Sequence, residues 1–99
     1  MIEHLVVFKF KQDLGEEKSA ELLRLTERFK TEIGGVVGLS AGFNETEETE
    51  NRHGFSLGLR VTFDNRESLR AYQHHPTHVE FVQAIAGLVE QVVVVDYPF

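Results

Sequence analysis

The 99-residue chain contains no cysteine, which excludes a disulfide framework, a thiolate metal site and a cysteine nucleophile. Positive charge is also scarce. Ten Lys and Arg stand against sixteen Asp and Glu, a formal charge of −6 that repels a phosphate backbone or an anionic membrane surface. Nucleic acid and membrane partners are therefore not expected. No apolar run approaches the roughly 18 to 20 residues that span a bilayer. The amino terminus enters the apolar run Leu5-Val6-Val7 without a basic region or cleavage site, so the chain reads as cytoplasmic, neither exported nor embedded. Its length suits one domain over residues 1–99. At this size folding buries only about 60–65% of the chain's surface, a thin core that favours a partner.

Polar and apolar residues are arranged in short periodic blocks. His4, Val6, Phe8 and Phe10 alternate with Leu5, Val7 and Lys9, the period of a β-strand whose two faces are both largely apolar. Asp13-x-x-Glu16 has the form of a capping box. It precedes Leu22, Leu25, Phe29 and Ile33 at helical steps, and Gly34-Gly35 ends that helix. Leu39 to Thr46 reads as a second strand, and Glu47 to Arg52 as a solvated loop. Phe55, Leu57, Leu59, Val61 and Phe63 form the clearest period-two pattern, a strand with one strongly apolar face.

A second capping box, Asp64 to Glu67, opens a helix that stops near His74, because Pro76 biases His75 away from helical geometry. A third, Thr77 to Glu80, opens a helix through about Leu88, and Gln91 to Tyr97 is a valine-rich strand. The order is β-α-β-β-α-β, with the second helical region broken at Pro76. This is the α+β, ferredoxin-like arrangement: an antiparallel four-stranded sheet with the helices on one face. Leu5, Val7 and alternate valines of the last strand leave the other face apolar. A homodimer with sheets packed face to face is the expected cover.

Helical phase puts His78 at the centre of a face made by Phe81, Val82, Ile85, Leu88 and Val89. As the first helical residue it would feel the helix dipole, and burial would favour its neutral, proton-accepting form. The break at Pro76 can turn the Tyr72 hydroxyl toward the same hollow, and His4 shares the strand face of Val6 and Phe8. A phenol beside a neutral imidazole is an acid/base pair in form, so His78 and Tyr72 are the candidate catalytic residues. His4, Val6, Phe8, Leu57, Leu59, Val61 and Phe81 are the candidate ligand-binding residues. The competing reading gives His78 only a hydrogen bond to Tyr72 or to a backbone carbonyl. His74, His75 and His78 invite a metal reading, but the proline break removes helical i,i+3 geometry, and neither metal nor cofactor is expected. Gly34 to Gly38 follows a helix instead of preceding one, so it reads as a helix end and not as a phosphate loop.

These residues resemble a known family. His4-Leu5-Val6-Val7-Phe8-Lys9-Phe10-Lys11 resembles the opening strand of stress-responsive A/B barrel (Dabb) domains. The segment from Tyr72 to Phe81 resembles that family's Y-x-x-H-P-x-H-x-x-F signature. Gly42-Phe43-Asn44, Val61-Thr62-Phe63 and Val95-Asp96-Tyr97 extend the resemblance over essentially the whole chain. It implies a dimeric α+β barrel. For activity it implies less, since the family includes plant stress proteins and a polyketide cyclase. The signature's tyrosine and second histidine are that cyclase's catalytic pair for aldol closure and match Tyr72 and His78, while a strand-one pocket histidine matches His4. A further pocket histidine of the cyclase has Leu57 at its aligned position here, which makes this pocket more apolar.

The leading expectation is thus a site for a small apolar carbonyl compound, with His78 removing a proton beside the carbonyl and Tyr72 binding the oxygen. Its rival is a non-catalytic dimer or ligand carrier. Monooxygenase-like chemistry of related barrels ranks below both.

Overall fold

A computed structural model describes all 99 residues. The elements are β1 (Ile2–Phe10), α1 (Gly15–Glu32), β2 (Val36–Phe43), β3 (Phe55–Phe63), α2 (Arg66–Tyr72), α3 (Pro76–Ile85) and β4 (Val89–Pro98), with one short helical turn at Thr49–Asn51 between β2 and β3. The sheet order is β2-β3-β1-β4 with every neighbouring pair antiparallel. The fold is the ferredoxin-like α+β fold. No helix is long and apolar enough to cross a membrane.

The period-two strands sort their residues as the pleat requires. Ile2, His4, Val6 and Phe8 of β1 and Leu57, Leu59, Val61 and Phe63 of β3 are buried beneath the helices. Leu22, Phe29 and Ile33 come down from the α1 side and Phe81 and Ile85 from α3. Each large side chain sealed there contributes on the order of 1.5–3 kcal/mol. The inward stripe of α1 runs through Leu22, Thr26 and Phe29, and Leu25 lies at its edge, half-buried. Thr26 is accommodated because its hydroxyl donates to the Leu23 carbonyl at 2.8 Å.

All three capping boxes are corrected. Asp13 accepts from the Gly15 amide at 2.9 Å, and α1 starts without a side-chain cap. In α2, Asn65 is the cap and accepts from the Ser68 amide at 2.9 Å, while Asp64 accepts from the Ser68 hydroxyl at 2.6 Å. In α3, proline already fits the first helical position, since it has no amide hydrogen to leave unpaired. The helix therefore begins at Pro76, and Nδ1 of His75 accepts from the Thr77 amide at 3.1 Å as the cap. The residues read as that third box instead tie α3 to α1. Thr77 donates its hydroxyl to Glu32 at 2.8 Å, and Glu80 accepts from Arg28 at 2.7 Å. Arg28 also donates to Glu32 at 2.7 Å, and these bonds from Arg28 and Thr77 hold the Glu32 carboxyl below the usual carboxylate range. The α3 helix ends at Ile85 instead of near Leu88, and β4 starts two residues before Gln91.

The opposite face of the sheet carries no helix. Leu5 and Val7 of β1 pair with Val95 and Val93 of β4, and Tyr97 extends the apolar strip, with Val93, Val95 and Tyr97 all exposed. Beside it lies a polar cluster. Thr62 donates to Glu3, and Arg60 donates to Thr62 at 2.9 Å and to Ser40 at 3.2 Å.

Candidate active site

A cavity of about 430 Å³ opens between α3 and the β1–β4 half of the sheet. Its floor is His4, Val6 and Phe8 of β1 with Val92, Val94 and Asp96 of β4, and Leu59 reaches it from β3. Tyr72 and Gln73 close one end. His78, Phe81, Val82 and Ile85 of α3 form the roof. A hollow of about 480 Å³ between the start of α1 and Leu88 is larger, but only two of its seven lining residues are apolar.

Tyr72 is the last residue of α2. Its ring sits among Phe63 at 5.0 Å, His4 at 5.5 Å and Phe29 at 5.6 Å between centroids, and the His78 ring lies 4.1 Å away. The residue is 1% exposed, yet its hydroxyl makes no hydrogen bond within the chain and is not sealed from the cavity. Burial, followed by the nearby Asp96 carboxylate, pushes the phenol well above its ordinary range. Tyr72 is thus a protonated donor facing the cavity.

His78 is half-buried. Pro76 is the first residue of α3, so His78 is the third and not the first. The buried line of α3 runs through Thr77, Phe81 and Ile85, so His78 and the exposed Val82 lie beside it instead of at its centre. That offset places His78 at the cavity wall and not in the packed core. Its Nδ1 stands 3.3 Å from the Gln73 carbonyl oxygen. A carbonyl can only accept, so Nδ1 carries the proton and Nε2 is left with a free lone pair. Burial lowers the pKa of His78 most, the carbonyl bond works the other way, and the repulsion the two imidazoles of His78 and His4 would feel if both were protonated lowers it further. The ring is neutral at physiological pH.

His4 is 8% exposed. Its Nδ1 meets Oδ1 of Asp96 at 2.5 Å, across directly paired positions of β1 and β4. The carboxylate holds the imidazole in one orientation.

Of the residues expected from the sequence, His4, Val6, Phe8, Leu59, Tyr72, His78 and Phe81 converge on the cavity. Leu57 and Val61 do not. They are 2% and 0% exposed, packed under the helices on β3, one strand farther from the β1–β4 side where the cavity opens. Sequence reasoning missed Asp96, Gln73, Val92 and Val94. Alternation along β4 was the available signal, since it sets Val92, Val94 and Asp96 on one face. His74, His75 and His78 do not converge, and no group of three His, Asp or Glu side chains is arranged to hold a metal.

The family model of the stress responsive A/B barrel domain matches residues 2–99. The chain belongs to this family. A stress-response A/B barrel domain-containing protein of Arabidopsis thaliana is 33% identical over 96 residues, which cover 97% of this chain and 84% of that protein. Olivetolic acid cyclase of Cannabis sativa is 26% identical over 96 residues, covering 97% and 94% respectively. Among solved structures, an Arabidopsis thaliana protein superposes with a TM-score of 0.86 at 26% identity, covering all of this chain and 95% of that one. A protein of Bacteroides fragilis described as dimeric and ferredoxin-like gives 0.82 at 24% identity, with 99% and 95% covered. The hydroxynitrile lyase of Passiflora edulis gives 0.81 at 18% identity, with 97% and 90% covered. Proteins of this fold thus carry more than one activity, and the fold alone assigns none to this chain.

Proposed function

We propose that this A/B barrel protein performs acid/base chemistry on a small, mostly apolar carbonyl compound, with His78 as the base and Tyr72 as the oxygen-binding donor. The observation that carries the reading is the pairing of two complementary groups in one cavity: a neutral imidazole with Nε2 free beside a protonated phenol with no partner in the chain. Nε2 takes a proton from the carbon next to the carbonyl. The C–H electron pair becomes the C=C bond of an enolate, and the carbonyl π pair moves to oxygen, where the Tyr72 O–H stabilises it. The enolate carbon then retakes the proton from Nε2, or attacks a second carbonyl in an aldol closure, whose π pair moves to its oxygen as that alkoxide takes the proton back from Nε2. His4, held by Asp96, is placed to bond a second oxygen of the substrate.

The likeness to olivetolic acid cyclase across 97% of the chain supports an aldol outcome. The aromatic packing of Tyr72 favours a second reading, in which it and His78 only join α2 to α3 around a carried ligand. Solvent deuterium exchange into simple ketones, followed by NMR, separates the two. Exchange in the wild type that disappears in His78→Gln and falls in Tyr72→Phe supports the acid/base reading. Absence of exchange with every ketone that binds supports the carrier.

The open sheet face is part of this proposal. Leu5, Val7, Val93, Val95 and Tyr97 form an apolar strip that a second copy would cover in a homodimer, an assembly consistent with the dimeric description of the Bacteroides fragilis neighbour.

A further inference from the structure

The cavity has a direction. Paired positions of β1 and β4 divide its floor into three rows: His4 with Asp96, then Val6 with Val94, then Phe8 with Val92. Four residue steps separate the first row from the last, so the floor runs about 13 Å from polar to apolar. The roof repeats the order. His78 lies at the polar end against Tyr72, and Phe81 meets Phe8 at 5.8 Å between ring centroids at the other. Every hydrogen-bonding side chain is therefore at one end, and hydrocarbon lines the rest.

One long side of this slot stands open. Val82, Val92 and Val94 line it and are 46%, 42% and 49% exposed. Such a row of half-exposed valines beside a cavity gains free energy from anything apolar laid along it. The polar end meanwhile contains no lysine or arginine, and its one carboxylate belongs to Asp96. An anionic head group would have to leave water for a place beside that carboxylate with no lysine or arginine to offset it.

We propose that the site takes a neutral ketone bearing an unbranched alkyl chain. The ketone oxygen lies at the Tyr72 and His78 end, and the chain runs over Val94 and Val92 and under Val82 toward the Phe8–Phe81 pair. This ligand class deepens the acid/base reading and uses the same polar end. It differs in making Val82, Val92 and Val94 the residues that set chain-length preference, and in excluding carboxylate and phosphate head groups.

The test is a calorimetric binding series at pH 8 with straight 2-alkanones from roughly five to fourteen carbons and the matching n-alkanoates. Affinity for the ketones should rise two- to fourfold per added methylene, the range for half to full burial of a CH₂. The rise should stop at roughly twelve carbons, where a chain that extends about 1.3 Å per methylene has covered the floor to the Phe8–Val92 row. Alkanoates of equal length should bind at least tenfold more weakly. Val94→Asp and Val82→Asp should each flatten the chain-length dependence. Val82 is on an exposed helix face, so its variant keeps the test open even if the strand variant does not fold. Ketone affinity independent of chain length, or alkanoates binding as well as ketones, overturns the proposal. Measuring α-deuterium exchange on the same ketones keeps the two readings apart. Chain-length dependence without exchange retains this ligand class and rejects the chemistry, whereas exchange of short ketones without chain-length dependence does the reverse.

Discussion

His4 and Asp96 are 92 positions apart in sequence and touch at 2.5 Å through Nδ1 and Oδ1, because antiparallel pairing of β1 with β4 sets them side by side at one end of the cavity. The carboxylate accepts from Nδ1, which fixes the ring and its tautomer. In Asp96→Ala the His4 imidazole should lose its single tautomer, seen by ¹⁵N NMR as averaging of the two ring nitrogens. Ring nitrogen shifts identical to wild type would show that the packing against Tyr72 and Phe63 orients His4 without the carboxylate.

Tyr72→Phe should leave stability nearly unchanged, within about 0.5 kcal/mol, because the hydroxyl bonds nothing in the chain and the ring keeps its aromatic neighbours. Ketone deuterium exchange should fall on the order of a hundredfold with loss of the oxygen-binding donor. A melting loss worth about 1–3 kcal/mol would instead mark the hydroxyl as a structural bond.

Exchange should depend on pH through the ionisation of His78. The base must be neutral, so the rate should rise to a plateau with its midpoint below the ordinary histidine value of 6.5. It should remain flat past pH 10, because burial keeps Tyr72 protonated there. Stability follows the same group. An unfolded histidine titrates near 6.5 and the folded His78 lower, so between those values the unfolded chain binds the extra proton. The contribution is present above 6.5 and is lost as pH falls through the folded pKa. Thermal melts of His78→Gln should therefore show a weaker decline from pH 7 to 5 than the wild type. Equal declines would mean that His78 titrates normally.

Gly35 tests the α1–β2 corner. Its φ is +86°, and an added Cβ would lie 2.2 Å from the Ser68 hydroxyl oxygen. Gly35→Ala should cost about 2 kcal/mol or more, from left-handed strain plus displacement of α2's first turn. Chemical denaturation measures this, and a cost under about 0.5 kcal/mol would show that Ser68 moves aside freely.

The open sheet face predicts assembly. Sedimentation at micromolar concentration should show a dimer for the wild type and a monomer for Val95→Lys, whose charges would confront an apolar partner surface. A wild-type monomer removes the sheet-to-sheet dimer.

Much of the fold is readable from local pattern. The alternation of Phe55 to Phe63 marks β3 to the residue, and the dyad of apolar faces in β1 separates the His4 side from the Leu5 side, because a pleated strand has no other way to sort its side chains. Helix beginnings were less readable. A capping pattern names several possible acceptors, and the entering chain decides which one reaches an amide, as His75 rather than Thr77 shows in α3.

The sequence by itself determined the element order, the helix break at Pro76 and the family signature from Tyr72 to Phe81, since each rests on residues within a few positions of one another. Only the tertiary structure decided which side of the sheet holds the cavity. Strand order places β4 beside β1 and leaves the cavity between α3 and the half-exposed Val92 and Val94, while Leu57 and Val61 are packed under the helices on β3. It also joined Asp96 to His4 and gave Nδ1 of His78 the Gln73 carbonyl. Those contacts depend on register and on the turn after α2, quantities that no local period of the chain contains.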